Sequence, residues 1–333
     1  MPETRFEPVP GSDFNGLLLM KKGVVVVCLL FGMLSVSLAQ EVFRKQTVHM
    51  GSAFSFVVVA DSAAEAAVYF QRLSAEMERI ENLISEWRPH TQIAQVNQNA
   101  GIAPVKVDRE VFELTRRAIR YAELTGGAFD ISIAALDRIW VFDGSMTELP
   151  SEDLIRRSIE RVGYQHIRLD SLNSTVFLEK EGMKIGFGSI GKGYAADQGR
   201  ALLQSLGVKG GIVNASGDLS TWGRQPDGEP WKIGVSDPFK TYRMKKVLKL
   251  YKASVATSGS NEKFAEIEGK RYAHIINPTT GWPSTGLMSV TVWGPSAEFA
   301  NFLSTSMMVL GKKAGKKLLR QFPEYRADMV KDR

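Results

Sequence analysis

Cysteine is almost missing from this 333-residue chain. Its one cysteine, Cys28, lies in an apolar segment near the N terminus, so the sequence beyond that segment has none. A disulfide framework, a catalytic thiol and a cysteine-based metal site are therefore excluded there. Histidine is also scarce, at 4 residues, and the sequence offers no histidine cluster of the kind that binds zinc.

The chain also lacks a strong excess of one charge. Its 42 Lys and Arg residues face 36 Asp and Glu residues, which leaves a net charge of +6. The basic runs at residues 240–252 and 312–320 are local and indicate solvated faces. We therefore predict no nucleic-acid partner. The 44% hydrophobic fraction is typical of a globular protein with a substantial core.

The N terminus carries the pattern of a secretory signal peptide. Lys21 and Lys22 precede an apolar run at residues 23–38, and small residues end it at Ala39. The run is short for a membrane span. We predict a signal peptide at residues 1–39, with Met20 as the true start. Export would place the protein on the periplasmic or cell-envelope side of a bacterial inner membrane.

A glycine-rich stretch at residues 183–197 organises the rest of the chain. Alternating Ile185 and Phe187 predict a strand, which turns through glycines into a helix that ends near Gly207. Such a turn points backbone N–H groups at one spot that suits phosphate, where Lys192 adds a positive charge. The spacing is not that of a Walker A loop. Plain turn chemistry is the open alternative.

Further strands and helices follow from apolar spacing. A strand at residues 48–59 leads to a helix capped by Asp61 or Ser62. That helix carries an apolar stripe of Phe70, Leu73, Met77, Ile80 and Ile84. The other predicted strands are residues 166–169, 175–178, 231–235, 247–255 and 289–293, and residues 211–218 are predicted to be a buried strand that ends in a glycine-acid turn. The other helices begin at Asp108, Ser151 and Ser296.

These elements predict a single α+β domain over residues 40–333, without a linker, repeat or low-complexity tract. A helix from Ser296 is expected to stop at Gly311, with a last helix behind it. Residues 327–330 then begin to alternate like a strand, which indicates a C terminus that is truncated.

Polar residues stand at predicted strand ends, where ligand-binding groups gather. They are Asp130, Asn214, Asp218, residues 257–259 and His274. Capping is an equal alternative for the two aspartates, and structural hydrogen bonding is an equal alternative for His274.

Asn301 and Thr305 lie four residues apart on one predicted helix, so both oxygens share a face. Oxygen ligands without cysteine or a histidine cluster suit magnesium rather than zinc. Such a pair is also common on helices that bind no metal.

The order of short motifs resembles the ApbE family of FAD:protein FMN transferases from Met50 to Gly311. The motifs are residues 50–54, residues 85–93 with Asn97, residues 125–130, 188–195, 214–218, 256–259 and 274–283, and Asn301 with Thr305. The resemblance implies the T-fold-like α+β fold of that family.

It also implies that the chain cuts the pyrophosphate of FAD with magnesium and moves FMN to a Thr or Ser of an acceptor flavoprotein. Such an acceptor could be a subunit of a membrane redox complex, and AMP is released. By resemblance, the FAD site is lined by Met50, Trp87, Ala128, Phe129, Asp130, Gly186, Lys192, Thr257 and Ile276. Magnesium would be held by the Ser189 backbone, Asn301 and Thr305, and the candidate general bases are His274 and Asp218.

Three positions depart from the family pattern. Gly186 and Asn301 stand where the family usually has Asp, and Asn261 stands where many members have Tyr. Two further readings therefore stay open. One is an FAD-binding protein without catalysis on the same fold, and the other is an enzyme that hydrolyses FAD to FMN and AMP.

Overall fold

The structure is a computed structural model that describes residues 40–136, 139–260 and 263–332. The predicted signal peptide at residues 1–39 and Asn261 lie outside the described residues.

Strands and helices alternate irregularly along the chain, which places the protein in the predicted α+β class. The strands are β1 (Glu41–His49), β2 (Ser52–Ala60), β3 (Val105–Lys106), β4 (Ile167–Asp170), β5 (Thr175–Leu178), β6 (Gly211–Ala215), β7 (Asp218–Trp222), β8 (Trp231–Asp237), β9 (Lys240–Leu250), β10 (Ser254–Gly259), β11 (Phe264–Ile267), β12 (Lys270–Ala273), β13 (Leu287–Gly294) and β14 (Arg326–Lys331). The α-helices are α1 (Ala63–Ile84), α2 (Gln92–Gln98), α3 (Arg109–Thr125), α4 (Glu152–Ile159), α5 (Gly191–Ser205) and α6 (Ala297–Leu319).

The main sheet has seven strands in the order β1-β2-β6-β7-β10-β13-β14, with every neighbouring pair antiparallel. Helices α1, α5 and α6 pack on one face of it. The hairpin of β8 and β9 packs on the other face. Strand β2 shows both contacts, since Phe56 and Val58 join the helical core while Val57 and Val59 join the core under the hairpin. The sheet is therefore buried on both sides at its centre.

Helix α1 confirms its predicted cap and stripe. The Ser62 hydroxyl accepts a hydrogen bond from the Glu65 backbone at 3.2 Å, which satisfies one free N–H of the first turn. All the predicted stripe residues are buried, including Leu73 and Met77 at 0% exposure. Burial of each such side chain stabilises the fold by about 1.5–3 kcal/mol.

The segment predicted as a single strand at residues 48–59 contains a hairpin turn. Met50 and Gly51, with φ of 50° and 64°, form the turn that separates β1 from β2. Ser216 and Gly217, with φ of 57° and 102°, separate β6 from β7 in the same way. Two-residue turns of positive φ reverse the chain between antiparallel strands, so the prediction of one strand at 48–59 was wrong. The strand from Gly211 ends in a glycine turn before Asp218, as predicted. The predicted strand at 247–255 is divided between β9 and β10.

The predicted strand before the glycine turn is also wrong. Residues 183–187 are extended but belong to no sheet. The Asn97 side chain hydrogen-bonds to both backbone groups of Ile185, at 2.8 and 2.9 Å, and Gly186 N–H donates to the Ile131 carbonyl at 3.0 Å. A side chain therefore takes the place of a neighbouring strand.

The helix ends after this turn follow prediction. Gly207 has a φ of 82° directly after α5, as expected of a residue that terminates a helix. Gly311 has a φ of 72° and a ψ of 175° and interrupts α6, which continues to Leu319. Both helical segments predicted around Gly311 are therefore confirmed. Among the described residues, no helix is long and apolar enough to cross a membrane.

Candidate nucleotide and metal site

The start of α6 is fixed by a carboxylate from α5. Asp197 Oδ2 accepts hydrogen bonds from the Ser296 hydroxyl at 2.7 Å and from Glu298 N–H at 3.0 Å. Ser296 also caps the helix by accepting from Phe299 N–H at 3.2 Å. The polar residues further along α6 are thereby held at a constant position against the sheet.

Asn301 is buried one turn further along α6, at 6% exposure. Its amide nitrogen donates to Asp218 Oδ1 at 3.1 Å, which fixes the direction of the side chain. The amide oxygen, Oδ1, is buried and accepts no hydrogen bond from the residues that the structure describes. A buried acceptor left unsatisfied costs about 1–3 kcal/mol, so this atom is a strong candidate for a ligand contact.

Thr305 lies on the next turn of α6 and faces β10. Its hydroxyl is 3.1 Å from that of Ser258, which is 2.8 Å from the hydroxyl of Ser304. Since Val255 of β10 pairs with Leu219 of β7, residues 257–259 extend past the start of β7 at Asp218. Asp218, Ser258, Asn301 and Thr305 therefore gather at one end of the main sheet.

This group has the chemistry of a magnesium site rather than a zinc site. Its donors are a carboxylate, an amide oxygen and hydroxyls, all of which are hard oxygen ligands. Within residues 40–136, 139–260 and 263–332, no cluster of three His, Cys, Asp or Glu side chains could hold a metal. The buried amide oxygen of Asn301 has no hydrogen-bond donor among the described residues, so it suits the role of a neutral oxygen ligand to such a cation.

Helix α5 brings the glycine turn towards the same helix. An added Cβ on Gly193 would lie 2.5 Å from the Ala297 carbonyl oxygen, so only glycine permits this close approach. Ser189 lies in the turn that leads into α5, four residues before Gly193, and Asn301 follows Ala297 by one helical turn. Ser189 is half-buried, and Lys192 lies in the first turn of α5.

Asp130 caps the short helical turn that follows it, which is the capping alternative considered for this residue. It accepts hydrogen bonds from Ser132 N–H at 2.8 Å, from the Ser132 hydroxyl at 2.6 Å and from Tyr164 N–H at 2.7 Å. Burial raises the pKa of its carboxyl group, and these hydrogen bonds oppose the rise. The carboxylate thus holds the turn after α3 in place, and its predicted contact with FAD stays a prediction.

Ala128 and Phe129, which precede Asp130, are buried. The Phe129 ring packs edge-on against Tyr121 and Phe302, with ring centroids 6.0 and 5.4 Å apart. Phe302 follows Asn301, so the predicted flavin-contacting turn is connected through aromatic packing to the helix that carries the candidate metal ligands.

The remaining predicted FAD contacts lie on separate loops and strand ends. Met50 stands in the β1–β2 turn, where its N–H donates to Glu81 Oε2 of α1 at 2.9 Å. The Thr257 hydroxyl is 2.9 Å from that of Thr291 on β13. Ile276 forms an isolated bridge with Pro283. No described contact joins these three residues to one another.

His274, a candidate base, is exposed on the loop after β12. Its Nδ1 lies 3.1 Å from the Lys263 carbonyl oxygen, which can only accept a hydrogen bond. Nδ1 therefore carries the proton when the ring is neutral, and the basic lone pair lies on Nε2. The other candidate, Asp218, is buried beside Asn301.

A cavity of about 750 Å³ lies next to the glycine turn. Of the predicted FAD contacts, Trp87 lines it, with 72% of its surface exposed. Its lining residues are Glu86, Trp87, Pro89, Ala94, Asn97, Gln98, Ala134, Leu136 and Lys184. Glu86 and Lys184 were not predicted, because neither stands at a strand end or in a recognisable spacing.

Solved structures superpose on this fold. The ApbE protein of Thermotoga maritima superposes with a TM-score of 0.80 at 31% identity, over 87% of this chain and 94% of that one. The apo flavinyl transferase ApbE of Pseudomonas stutzeri superposes with a TM-score of 0.77 at 28% identity, over 88% of this chain and 94% of that one.

Sequence comparison agrees with the structural match. The FAD:protein FMN transferase of Treponema pallidum is 32% identical over 276 residues, which is 78% of this chain and 76% of that protein. The pattern of the ApbE family matches residues 50–329, and the chain belongs to this family.

Proposed function

We propose that the chain is a magnesium-dependent FAD:protein FMN transferase, which moves FMN from FAD to a Thr or Ser hydroxyl of an acceptor protein and releases AMP. The observation that carries the magnesium requirement is the buried, unsatisfied oxygen of Asn301, flanked by Asp218 and Thr305. The family membership and the names of its relatives support the flavin chemistry. We further propose that the protein acts after export.

In this reaction the acceptor hydroxyl oxygen bonds to the phosphorus on the FMN side of the pyrophosphate. The bond from that phosphorus to the bridging oxygen breaks, and the bridging oxygen leaves with AMP. The hydroxyl proton passes to a base, for which His274 and Asp218 are the candidates.

The chain's own residues would orient the nucleotide. The Lys192 ammonium and the N–H groups at the start of α5 would face the pyrophosphate oxygens. Trp87 offers an aromatic face to a ring of FAD. Asn301, Thr305 and the Ser189 carbonyl would hold magnesium, which when bound neutralises negative charge on the phosphates.

A magnesium titration of AMP release from FAD, with acceptor present, tests the metal assignment. Asp attracts a dication more strongly than the neutral Asn, so Asn301→Asp should lower the magnesium midpoint. Thr305→Ala should raise the midpoint or abolish turnover, while Thr147→Ala on an exposed loop should match the wild type. If both α6 variants keep the wild-type midpoint, the metal binds elsewhere.

Gly186 and Asn301 both replace a carboxylate expected from the family resemblance, which leaves two alternatives to the transferase, a pyrophosphatase and a binding protein. The products of the same incubation distinguish these three functions. Flavinylated acceptor is the product of the transferase. Free FMN with AMP would identify a pyrophosphatase, and unchanged FAD would identify a binding protein without catalysis. Either of the last two products would contradict the proposed transfer.

A further inference from the structure

Gly186 is glycine because of space and not because of backbone conformation. Its φ lies outside the left-handed region that favours glycine. An added Cβ, however, would lie 2.2 Å from Oε2 and 2.5 Å from Cδ of Glu86. The carboxyl group of Glu86 therefore occupies the space into which a side chain at position 186 would project.

The backbone on both sides of this carboxyl group is well fixed. Asn97 holds Ile185 by two hydrogen bonds, and Gly186 N–H donates to Ile131. The N–H groups of Phe187 and of Glu86 itself donate to the carboxyl group. Glu86 lines the cavity together with Trp87, the predicted aromatic contact of FAD.

No cation offsets the burial of Glu86. Across the described part of the chain, no Lys, Arg or His forms an ion pair with it, and burial raises the pKa of its carboxyl group to about 7. A desolvated carboxyl group in a cavity wall, without a charged partner, is typical of a functional position. Lys184 lines the same cavity and is exposed.

We propose that Glu86 supplies the carboxyl group through which this chain accepts a hydrogen bond from an N–H group carried by one of the rings of FAD, in the space left open by Gly186. The family resemblance expects a carboxylate from position 186 itself. In this chain the carboxyl group of Glu86 occupies the space that a side chain at position 186 would fill. Position 186 has lost the carboxylate, and position 86 supplies one in its place. The inference rests on the proposed use of FAD.

Calorimetric titration with FAD, without magnesium or acceptor, tests the pair independently of turnover. Glu86→Ala should weaken FAD binding about tenfold, as expected for loss of a hydrogen bond to a charged group. Gly186→Asp alone should bind still more weakly, because its side chain overlaps Glu86. The double variant, Glu86→Ala with Gly186→Asp, should bind within about threefold of the wild type.

Glu324→Ala, at an exposed site near the start of β14, is the matched control and should bind FAD normally. Wild-type binding by Glu86→Ala would overturn the proposal, and so would a double variant that binds no better than Glu86→Ala. If the wild type itself does not bind FAD, the proposed function fails along with the inference. Wild-type binding with a failed exchange contradicts the inference alone.

Titrations with FMN and with ADP identify the donor. A loss of affinity for FMN in Glu86→Ala assigns the carboxyl group to the flavin imide N–H. A loss of affinity for ADP assigns it to the adenine amino group. No loss with either ligand would contradict a hydrogen bond to a ring of FAD.

Discussion

Asn301 is the neutral member of the proposed metal site. Its amide group donates to Asp218 and leaves one buried oxygen unsatisfied. An aspartate here would place two carboxylates at the 3.1 Å separation of the present hydrogen bond. At an effective dielectric of about 20, such a pair repels by several kcal/mol before relaxation. Asparagine therefore avoids this repulsion in the folded protein, and at the proposed metal site it would attract a cation less strongly than aspartate.

This argument predicts opposite effects of Asn301→Asp with and without metal. In EDTA the variant should unfold several degrees below the wild type, because it loses a hydrogen bond and gains a repulsion. Magnesium should then raise its Tm more than it raises that of the wild type. Thermal unfolding in EDTA and in excess magnesium measures both terms. Equal magnesium-induced shifts in the two proteins would contradict a metal at this position.

Glu86 predicts an unusual dependence of stability on pH. Burial raises its pKa from 4.5 to about 7, so the folded protein holds this proton over a pH range in which the unfolded chain releases it. The contribution to stability is complete below pH 4.5 and is lost as the pH rises through about 7. Deprotonation of Glu86 in the folded protein at higher pH therefore lowers the free energy of unfolding.

Glu86→Gln keeps the shape and removes the titration. The variant should match the wild type at pH 5 and exceed its free energy of unfolding by about 2 kcal/mol at pH 8, allowing for partial solvent screening. Urea unfolding at the two pH values measures the difference, with Glu324→Gln as the exposed control. A difference that does not change with pH would show that Glu86 titrates normally.

Trp87 lines the cavity and is mostly exposed to solvent. Because 72% of it is exposed, Trp87→Ala should leave the unfolding midpoint nearly unchanged. It should weaken FAD binding several-fold, since an aromatic contact with a ring is worth on the order of 1 kcal/mol. Calorimetry measures the affinity, and Tyr242→Ala, at 83% exposure, is the matched aromatic control. Unchanged FAD affinity would remove Trp87 from the site.

At the scale of whole elements, the contact between α5 and α6 positions the glycine turn against the candidate metal ligands. Gly193→Ala should destabilise the fold by about 2 kcal/mol or more, because its Cβ would lie 2.5 Å from the Ala297 carbonyl oxygen. In an unconstrained helix the same change would stabilise by up to about 1 kcal/mol. Urea unfolding distinguishes the two cases, because the close contact predicts a lower free energy of unfolding for Gly193→Ala and an unconstrained helix predicts a higher one.

Gly188→Ala is the matched control for Gly193→Ala. No atom lies within 4 Å of its added Cβ, and its φ is outside the left-handed region, so stability should hardly change. If Gly193→Ala is also neutral or stabilising, α5 and α6 do not approach as closely as described, and the turn is not fixed by this contact.

Helices of this protein could be predicted more fully than its strands. The stripe of α1 and the caps of α1 and α6 follow from local spacing, and the structure confirms them. The β1–β2 turn could not be predicted, because Met50 adopts a positive φ that is uncommon for methionine. The segment around Ile185 looks like a strand, but its partner is the side chain of Asn97, which no local pattern reveals.

The candidate site divides in the same way. Asn301 and Thr305 are four residues apart on a helix, so their common side was predictable from helical geometry. Their partners Asp218 and Ser258 come from two other strands and required the register of the sheet. Glu86 was missed because its importance depends on the empty space at Gly186, which is distant in sequence.

On the scale of the whole molecule, helices cover one face of the main sheet and the β8–β9 hairpin covers the other. The candidate ligand groups lie in the cavity and at the end of the sheet that carries Asp218 and Asn301. A ligand that binds only the folded protein should stabilise it as a unit. FAD at about 100 times its dissociation constant should add about 2.7 kcal/mol to the free energy of unfolding. Thermal unfolding with FAD and with an unrelated nucleotide such as GTP measures this, and equal shifts would contradict a specific FAD site.

The last prediction concerns the proposed export of the protein. Lys21 and Lys22, the apolar run at residues 23–38 and the small residues before Gln40 match the three-region pattern that predicts a signal peptide. We expect cleavage after Ala39, so that the mature chain begins directly before β1 at Glu41. N-terminal sequencing of protein from the cell envelope measures the cleavage site. Replacement of Leu29 and Leu30 by Arg should abolish processing, and a mature chain that still begins at Met20 would contradict the prediction.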